Sequence, residues 1–233
     1  VDSDRMADKK FINFPELHVA NVDEDWAAKW IKYSERTAKL VNEINQWSEP
    51  LIAREISRKL PNGSFLFISS SRPIRDIEAF ASARTGVTTY ANRGLAGIDG
   101  NISTALGIAS AQGSAIAVLG DLSFLHDLTG LIHREDINLR IFVIDNDGGG
   151  IFSTLPQRGA AGFEEIFGTP HSLDIVEISR AMGIDSIKVS NESELHRELL
   201  KPVSGLSIVI CDVPDREFNA DLITGIQGSL KSI

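Results

Sequence analysis

The hydrophobic positions change period along the chain. From Asn21 to Trp47, the residues Trp26, Trp30, Tyr33, Thr37, Leu40, Ile44 and Trp47 recur at alternating steps of four and three. That spacing predicts an amphipathic helix, opened by the acidic Asp23, Glu24 and Asp25 and closed before Pro50. A second helix follows, with Ser48 as its cap and Pro50 in its first turn, reaching about Leu60. Ahead of both, the first twenty or so residues are polar and irregular. Residues 1–60 therefore read as an arm or linker carrying two helices that pack against the domain or against a missing neighbour, not as a site.

After the turn Pro61-Asn62-Gly63 the period changes, and residues 61–233 read as one α/β domain. Short apolar runs at Phe65–Ser69, Val87–Tyr90, Ala115–Leu119, Leu139–Asp145, Ser186–Val189 and Leu206–Cys211 predict strands. Helical patterns fall between most of them, at Ile74–Ala83, Gly100–Ala111, Ser123–Glu135, Asp174–Met182 and Glu192–Leu200. Apolar strands alternating with helices imply a doubly wound, mostly parallel sheet with helices on both faces. In such sheets ligands bind beyond the carboxyl ends of the strands. The Gly- and Ala-rich stretch from Pro156 to Gly168 is the candidate mobile loop.

Composition narrows the function classes. The chain has 233 residues, 32 acidic against 23 basic side chains, and a net charge of −9. That balance, with no strong Lys/Arg cluster, argues against nucleic acid as the main partner. Cys211 is the only cysteine, so no internal disulfide framework exists. The longest apolar runs, Ile116–Leu119 and Ile141–Ile144, fall far below the ~20 residues of a membrane span. The opening at Val1, without an initiator Met or a signal-peptide pattern, is what a piece of a longer protein would have.

Polar residues concentrate at the predicted strand ends. The first four strands finish in Ser69-Ser70-Ser71-Arg72-Pro73-Ile74-Arg75, in Asn92-Arg93-Gly94 through Gly97-Ile98-Asp99-Gly100, in Gly120-Asp121-Leu122-Ser123, and in Asp145-Asn146-Asp147-Gly148-Gly149-Gly150-Ile151-Phe152. Asp121 offers an anionic oxygen, Asn146 an amide oxygen, and the backbone near Gly148 a carbonyl. Few oxygen ligands leave room around an octahedral ion for phosphate oxygens and water, which is how Mg²⁺ is held beside a phosphorylated ligand. Gly120 lets a phosphate approach the backbone, and the helix beginning near Ser123 presents free N–H groups. Alone, Asp121 reads as a helix cap and Asn146-Asp147-Gly148 as an ordinary turn; together at neighbouring strand ends they read as a metal site.

Other features carry less. Gly94, Gly97 and Gly100 lack the spacing of a dinucleotide fingerprint, although Ile98 among them could prop a ligand ring. Arg72, Arg75 and Arg93 could grip carboxylates in two-point fashion, or pair with Asp76 and Glu78. His126 and His133, seven apart on one helix face, read as packing or a solvated face, His171 lies in a loop after Pro170, and His18 and His196 have no company that marks a site.

The Gly-Asp pair followed by a second signature ending in Asn resembles the thiamine-diphosphate motif, written GDG and then NN. Here Gly120-Asp121 precedes Asn146, 25 positions after Asp121. Leu122 stands at the third GDG position and Asp145 at the first of the paired asparagines. Within that superfamily, the Gly-Asp-Leu-Ser-Phe stretch with Asp127-Leu128, Asn146 through Ser153 with Leu155-Pro156, Asn92 through Gly100, and Phe163-Glu164 to Phe167-Gly168-Thr169-Pro170 are similar to the C-terminal domain of the 2-succinyl-5-enolpyruvyl-6-hydroxy-3-cyclohexene-1-carboxylate synthase family of menaquinone biosynthesis. The resemblance covers roughly Leu51 to Val213.

The resemblance implies a set of roles. Asp121, Asn146 and the Gly148 carbonyl would bind Mg²⁺ or Mn²⁺ bridging the diphosphate of thiamine diphosphate, with Gly120, Leu122 and Ser123 around the phosphates. Ile98 would support the bent cofactor, Ile151 and Phe152 would line the reaction pocket, and Ser71, Arg75 and Arg93 would contact carboxylated substrates. Ser70 stands where an Asn-Ser pair is common, which leaves Ser71 as the matching serine. The implied substrates are 2-oxoglutarate and isochorismate. The implied partner is an N-terminal pyrimidine-binding domain, of the same or a second subunit, which carries the activating glutamate. A cytoplasmic homodimer or homotetramer is implied for the full-length enzyme. The 233 residues alone are expected to be inactive and to hold the cofactor weakly. Another thiamine-dependent carboligase or 2-oxo-acid decarboxylase, or a non-catalytic assembly module, is the alternative.

Overall fold

The structure is a computed structural model that describes residues 24–133 and 136–231. The leading segment with His18, Asp23 at the expected start of the first helix, and Arg134 and Glu135 at the end of the expected Ser123–Glu135 helix lie outside the described residues.

Two helices lead the described chain, α1 (Glu24–Asn42) and α2 (Glu49–Lys59), followed by β1 (Ser64–Ile68), α3 (Arg72–Phe80), β2 (Val87–Ala91), α4 (Asn101–Gln112), β3 (Ala115–Gly120) and α5 (Asp121–His126). Then come a 3₁₀ segment Leu128–His133, β4 (Leu139–Asp145), α6 (Ile175–Ala181), β5 (Asp185–Val189), α7 (Glu192–Leu200), β6 (Leu206–Asp212) and α8 (Arg216–Lys231). The six strands pair in the order β2-β1-β3-β4-β6-β5, all parallel.

Each central strand is buried on both faces, which is why its sequence reads as a continuous apolar run. In β4, Leu139, Ile141 and Val143 face one layer, with Ile102 and Ala105 of α4 and Ile175 of α6. Phe142 and Ile144 face the other, with Ile52 and Ile56 of α2 and Leu195 and Leu199 of α7. One strand charge is buried: the Arg140 guanidinium donates to the carbonyls of Glu198, Lys201 and Pro202 at the end of α7, replacing water for the carbonyls that a helix end leaves open.

Three elements depart from the expected pattern. The α1 helix stops at Asn42, short of Trp47, because Arg54 of α2 is buried and its Nη1 donates to the carbonyls of Val41, Asn42 and Ile44. Ile44 and Trp47 keep the helical spacing but lie in the linker, where Ile44 is buried and Trp47 Nε1 donates to the Asp212 carbonyl at 2.7 Å. Trp26 and Trp30, at the start of the stripe, are about 60% exposed. The helix expected from Ser123 breaks at Asp127, whose carboxylate accepts the N–H of Ser103 at 2.9 Å and so caps the first turn of α4. The last helix, α8, was not expected: Gly225 and Gly228 weaken its pattern.

The topology locates a crevice. After β1 the chain crosses to the α2/α3 side, whereas after the neighbouring β3 it enters the α4/α5 side. Adjacent strands that send their chains to opposite faces leave a gap at their carboxyl ends.

Candidate cofactor and metal site

A cavity of about 230 Å³ occupies that gap. Asp121 enters it as the first residue of α5 and is only 2% exposed. Its Oδ1 accepts the Leu122 N–H at 2.6 Å and its Oδ2 the Gly148 N–H at 2.7 Å, so the ends of β3 and β4 are tied together through one carboxylate. Asn146, beyond the end of β4, is buried; its Nδ2 donates to Glu49 Oε1, while its Oδ1 has no hydrogen-bond partner. Buried amide oxygens are seldom left so.

The glycines beside Asn146 are a matter of space. Gly148 has φ +134°, and a Cβ there would overlap the carbonyl oxygen of Gly168; a Cβ at Gly150 would overlap Asn146 Nδ2. The chain therefore folds tightly beneath the loop containing Gly168, and the Gly149 N–H donates to the Gly168 carbonyl at 2.7 Å. Four non-glycine residues among those described have positive φ: Ser71, Asp147, Thr169 and Ser172. All four stand in or beside this site. Such conformations each cost about 1–3 kcal/mol and persist where the surroundings over-determine them. For Asp147 the compensation is visible, since its Oδ1 accepts the N–H groups of His171 and Ser172 at 3.0 and 2.7 Å.

The same turn delivers a histidine. His171 Nε2 lies 3.3 Å from Asp121 Oδ2 and 3.7 Å from Asp145 Oδ1. The hydrogen bond with Asp121, then the nearby carboxylate charges, raise the imidazole pKa against the opposing effect of burial. Burial, followed by the charge of Asp121, pushes the Asp145 carboxyl up to about 6. Beneath them Glu49 and Asp76 face one guanidinium, that of Arg72. Burial raises the pKa of both, that of Asp76 to about 8.

Among the described residues, the ion pairs of Asp121, Asp145, Asp147, Glu49 and Asp76 are with Arg72 and His171, and Arg75 acts on Asp76 from farther away. A crowd of carboxyl groups around the cavity, an orphaned amide oxygen and an oxygen-only donor set at Asp121, Asn146 and the Gly148 backbone fit a divalent cation of the Mg²⁺ type.

Most of the sequence-predicted residues converge. Gly120, Asp121, Leu122, Ser123, Asn146, Gly148, Ile151, Phe152, Ile98 and Ser71 line the cavity. Ile98 is 44% exposed, and its carbonyl is held by Asn101 Nδ2 at 2.8 Å. Phe152 packs on Phe167, with ring centroids 5.3 Å apart. Arg75 and Arg93 do not join them: both are exposed, and Arg75 turns its Nη1 back to the Ser71 carbonyl at 2.8 Å. Arg72 lines the cavity in their place, with its charge already engaged.

Sequence reasoning missed Glu49 and His171. Glu49 carried only the signal of an acidic residue in a helix first turn, and His171 none beyond its place after the Phe167–Pro170 signature.

Comparison with known proteins agrees with the fold. The chain is 40% identical over 208 residues to the 2-succinyl-5-enolpyruvyl-6-hydroxy-3-cyclohexene-1-carboxylate synthase of Bacillus cytotoxicus, covering 85% of this chain and 35% of that protein. It is 42% identical over 170 residues to the synthase of the same name from Thermobifida fusca, covering 70% of this chain and 31% of that protein. The chain therefore spans about a third of the length of these curated relatives. Among solved structures, benzoylformate decarboxylase from Polynucleobacter necessarius superposes with a TM-score of 0.57 at 20% identity, over 71% of this chain and 33% of that one, a likeness of fold. The family model described as "Thiamine pyrophosphate enzyme, C-terminal TPP binding domain" matches residues 76–213, from the start of the crevice through the last strand, and the chain belongs to that family.

Proposed function

We propose that these residues form the diphosphate-binding half of a transferase that decarboxylates 2-oxoglutarate and adds the resulting succinyl unit to isochorismate, in menaquinone biosynthesis. The observation that carries this reading is the convergence of Asp121, the unpartnered Asn146 Oδ1 and the Gly148 turn on one cavity; the similarity to the named synthases supports the choice of reaction.

When bound, thiamine diphosphate supplies the electron sink for loss of CO₂ from a 2-oxo acid. Asp121, Asn146 and the Gly148 carbonyl hold Mg²⁺ or Mn²⁺ against its diphosphate. Gly120, Leu122 and Ser123 border the phosphates with backbone that brings no competing charge. Ile98 supports the cofactor from the β2–α4 loop, while Ile151 and Phe152 keep water from the reacting carbon. Ser71, Arg75 and Arg93 bind the substrate carboxylates. Activation of the cofactor falls to a pyrimidine-binding domain supplied by the same or a second subunit of a cytoplasmic homodimer or homotetramer. Among the described residues no helix is long and apolar enough to cross a membrane.

The exposure of Arg75 and Arg93 outside the cavity favours a second reading, a thiamine-diphosphate carboligase or decarboxylase for an uncharged acyl donor. Turnover separates the two. The full-length protein with Mg²⁺ and thiamine diphosphate should consume 2-oxoglutarate only when isochorismate is supplied. Turnover of pyruvate with no activity on 2-oxoglutarate would select the second reading. The 233 residues alone should release no CO₂ and should bind thiamine diphosphate weakly in calorimetry; turnover by this segment would overturn the division of labour.

A further inference from the structure

An asparagine that binds a cation must present its oxygen, yet the two ends of a carboxamide have nearly the same shape, so only the hydrogen-bond environment selects between them. At Asn146 one neighbour makes the selection. We propose that Glu49 is a positioning residue: its carboxylate holds the Asn146 amide with Nδ2 turned inward, which leaves Oδ1 facing the cavity for a cation. The inference rests on the reading of the cavity as a cation and diphosphate site.

The geometry is specific. Glu49 and Asn146 are 4% and 7% exposed, and Glu49 Oε1 accepts from Asn146 Nδ2. A carboxylate is acceptor-only, so it rejects the opposite amide orientation, in which two oxygens would meet. Gly150 closes the other side of the nitrogen, where any Cβ would overlap Nδ2. The oxygen is left buried and unpartnered beside the cavity.

Glu49 is itself held from three directions. It opens α2, where Ser48 Oγ caps the helix by accepting the Leu51 N–H at 3.3 Å. Its own N–H donates to Asn219 Oδ1 at 2.9 Å, and Asn219 Nδ2 in turn donates to the carbonyls of Pro214 and Asp215 at 2.8 and 3.0 Å. Its second oxygen lies 3.6 Å from Arg72 Nε. Behind it, Ile52 and Ile56 anchor α2 to the sheet. A carboxylate buried this deeply is costly, and an apolar residue packed against α3 would be more stable. The bond to Asn146 gives that carboxylate a use, since outer partners that orient metal ligands typically account for 10–100-fold in metal affinity.

The test measures Mn²⁺ affinity of the full-length protein in the presence of thiamine diphosphate, by electron paramagnetic resonance titration, with folding checked by thermal melting. Glu49→Gln keeps the size of the side chain but offers Arg72 and Asn146 one acceptor instead of two; Mn²⁺ affinity should fall by roughly tenfold or more. Asn146→Asp alone sets two carboxylates face to face and should also weaken binding. Combined with Glu49→Gln it restores a donor and an acceptor across the contact with an oxygen still toward the cation. The double variant should recover affinity to within a few-fold of wild type. A folded Glu49→Gln protein with wild-type affinity overturns the inference. So does a double variant no better than Asn146→Asp, a comparison that stands even where Glu49→Gln alone does not fold. If Asp121→Ala loses Mn²⁺ while Glu49→Gln does not, this inference alone falls; if the wild type binds no Mn²⁺ with thiamine diphosphate, the reading of the site falls with it.

Discussion

The two halves of the crevice are built differently. At the ends of β3 and β4 the polar groups are held within the chain: buried Asp121 to Gly148, buried Asn146 to Glu49, and half-exposed Asp147 to the loop that carries His171. At the ends of β1 and β2 the groups are open: Arg75 and Arg93 are exposed, Leu95 is 92% exposed, and Ile98 nearly half so. Burial explains the contrast. A polar group withdrawn from water needs a partner within the chain, so its position is determined by the fold; an exposed guanidinium is satisfied by solvent and commits to no geometry. The proposed cation and diphosphate half is held by contacts within the chain, while the proposed substrate half is held by few of them.

That contrast can be broken most sharply at Asp121. Asp121→Ala removes a proposed direct ligand and the tie between two strand ends, so Mg²⁺-dependent thiamine diphosphate binding should fall by more than the roughly hundredfold that loss of an outer partner can cost. Calorimetry with and without Mg²⁺ checks this, and undiminished binding would mean the buried half is not the cation site. Next in size is Gly148→Ala. With φ at +134° and the Gly168 carbonyl in the way, it should destabilise the protein by about 2–4 kcal/mol in thermal or urea unfolding.

The open half should respond in the opposite manner. Arg75→Gln and Arg93→Gln each remove an exposed charge, so stability should stay within about 0.5 kcal/mol. Cofactor affinity should not move, whereas KM for 2-oxoglutarate should rise about tenfold, the scale of one charge-assisted hydrogen bond. A change in cofactor affinity with KM untouched would reverse the assignment of the two halves.

The smallest effect concerns Asp145. Its folded pKa, pushed up to about 6 from the ordinary 3.8, means that the folded chain holds this proton more tightly than the unfolded one. The stability it contributes is complete below about pH 4 and is lost as pH rises through about 6. The full shift corresponds to about 3 kcal/mol, but solvent reaches Asp145 and screens its charge, so Asp145→Asn should stabilise the cation-free protein at pH 7 by only about 1 kcal/mol and leave it little changed at pH 4. Paired urea titrations at the two pH values read this out, and destabilisation at pH 7 would show that the charge at the end of β4 is compensated after all.

Much of this was legible in the chain because its causes are local. Strand and helix periods act over a few residues, so six strands and most helices could be placed before any coordinates; the same holds for Gly120-Asp121 and Asn146-Asp147-Gly148, since each signature sits on one strand end. What failed had distant causes. The α1 stripe runs on to Trp47 in sequence, but Arg54 and the Asp212 carbonyl claim its last turn. The helix after β3 breaks because Asp127 is drawn to cap α4.

By itself the sequence determined the α/β class and pointed to the strand ends, with Asp121, Asn146 and Gly148, as the proposed place for a cation. Only the tertiary structure decided the strand order that opens the crevice, the exposure of Arg75 and Arg93, and the arrival of His171 and Glu49. Glu49 lies 97 residues from the amide it orients. No periodicity spans that distance: which buried group finds which partner is settled when two helices and a sheet close over them, and the need to satisfy each desolvated charge selects the pairing.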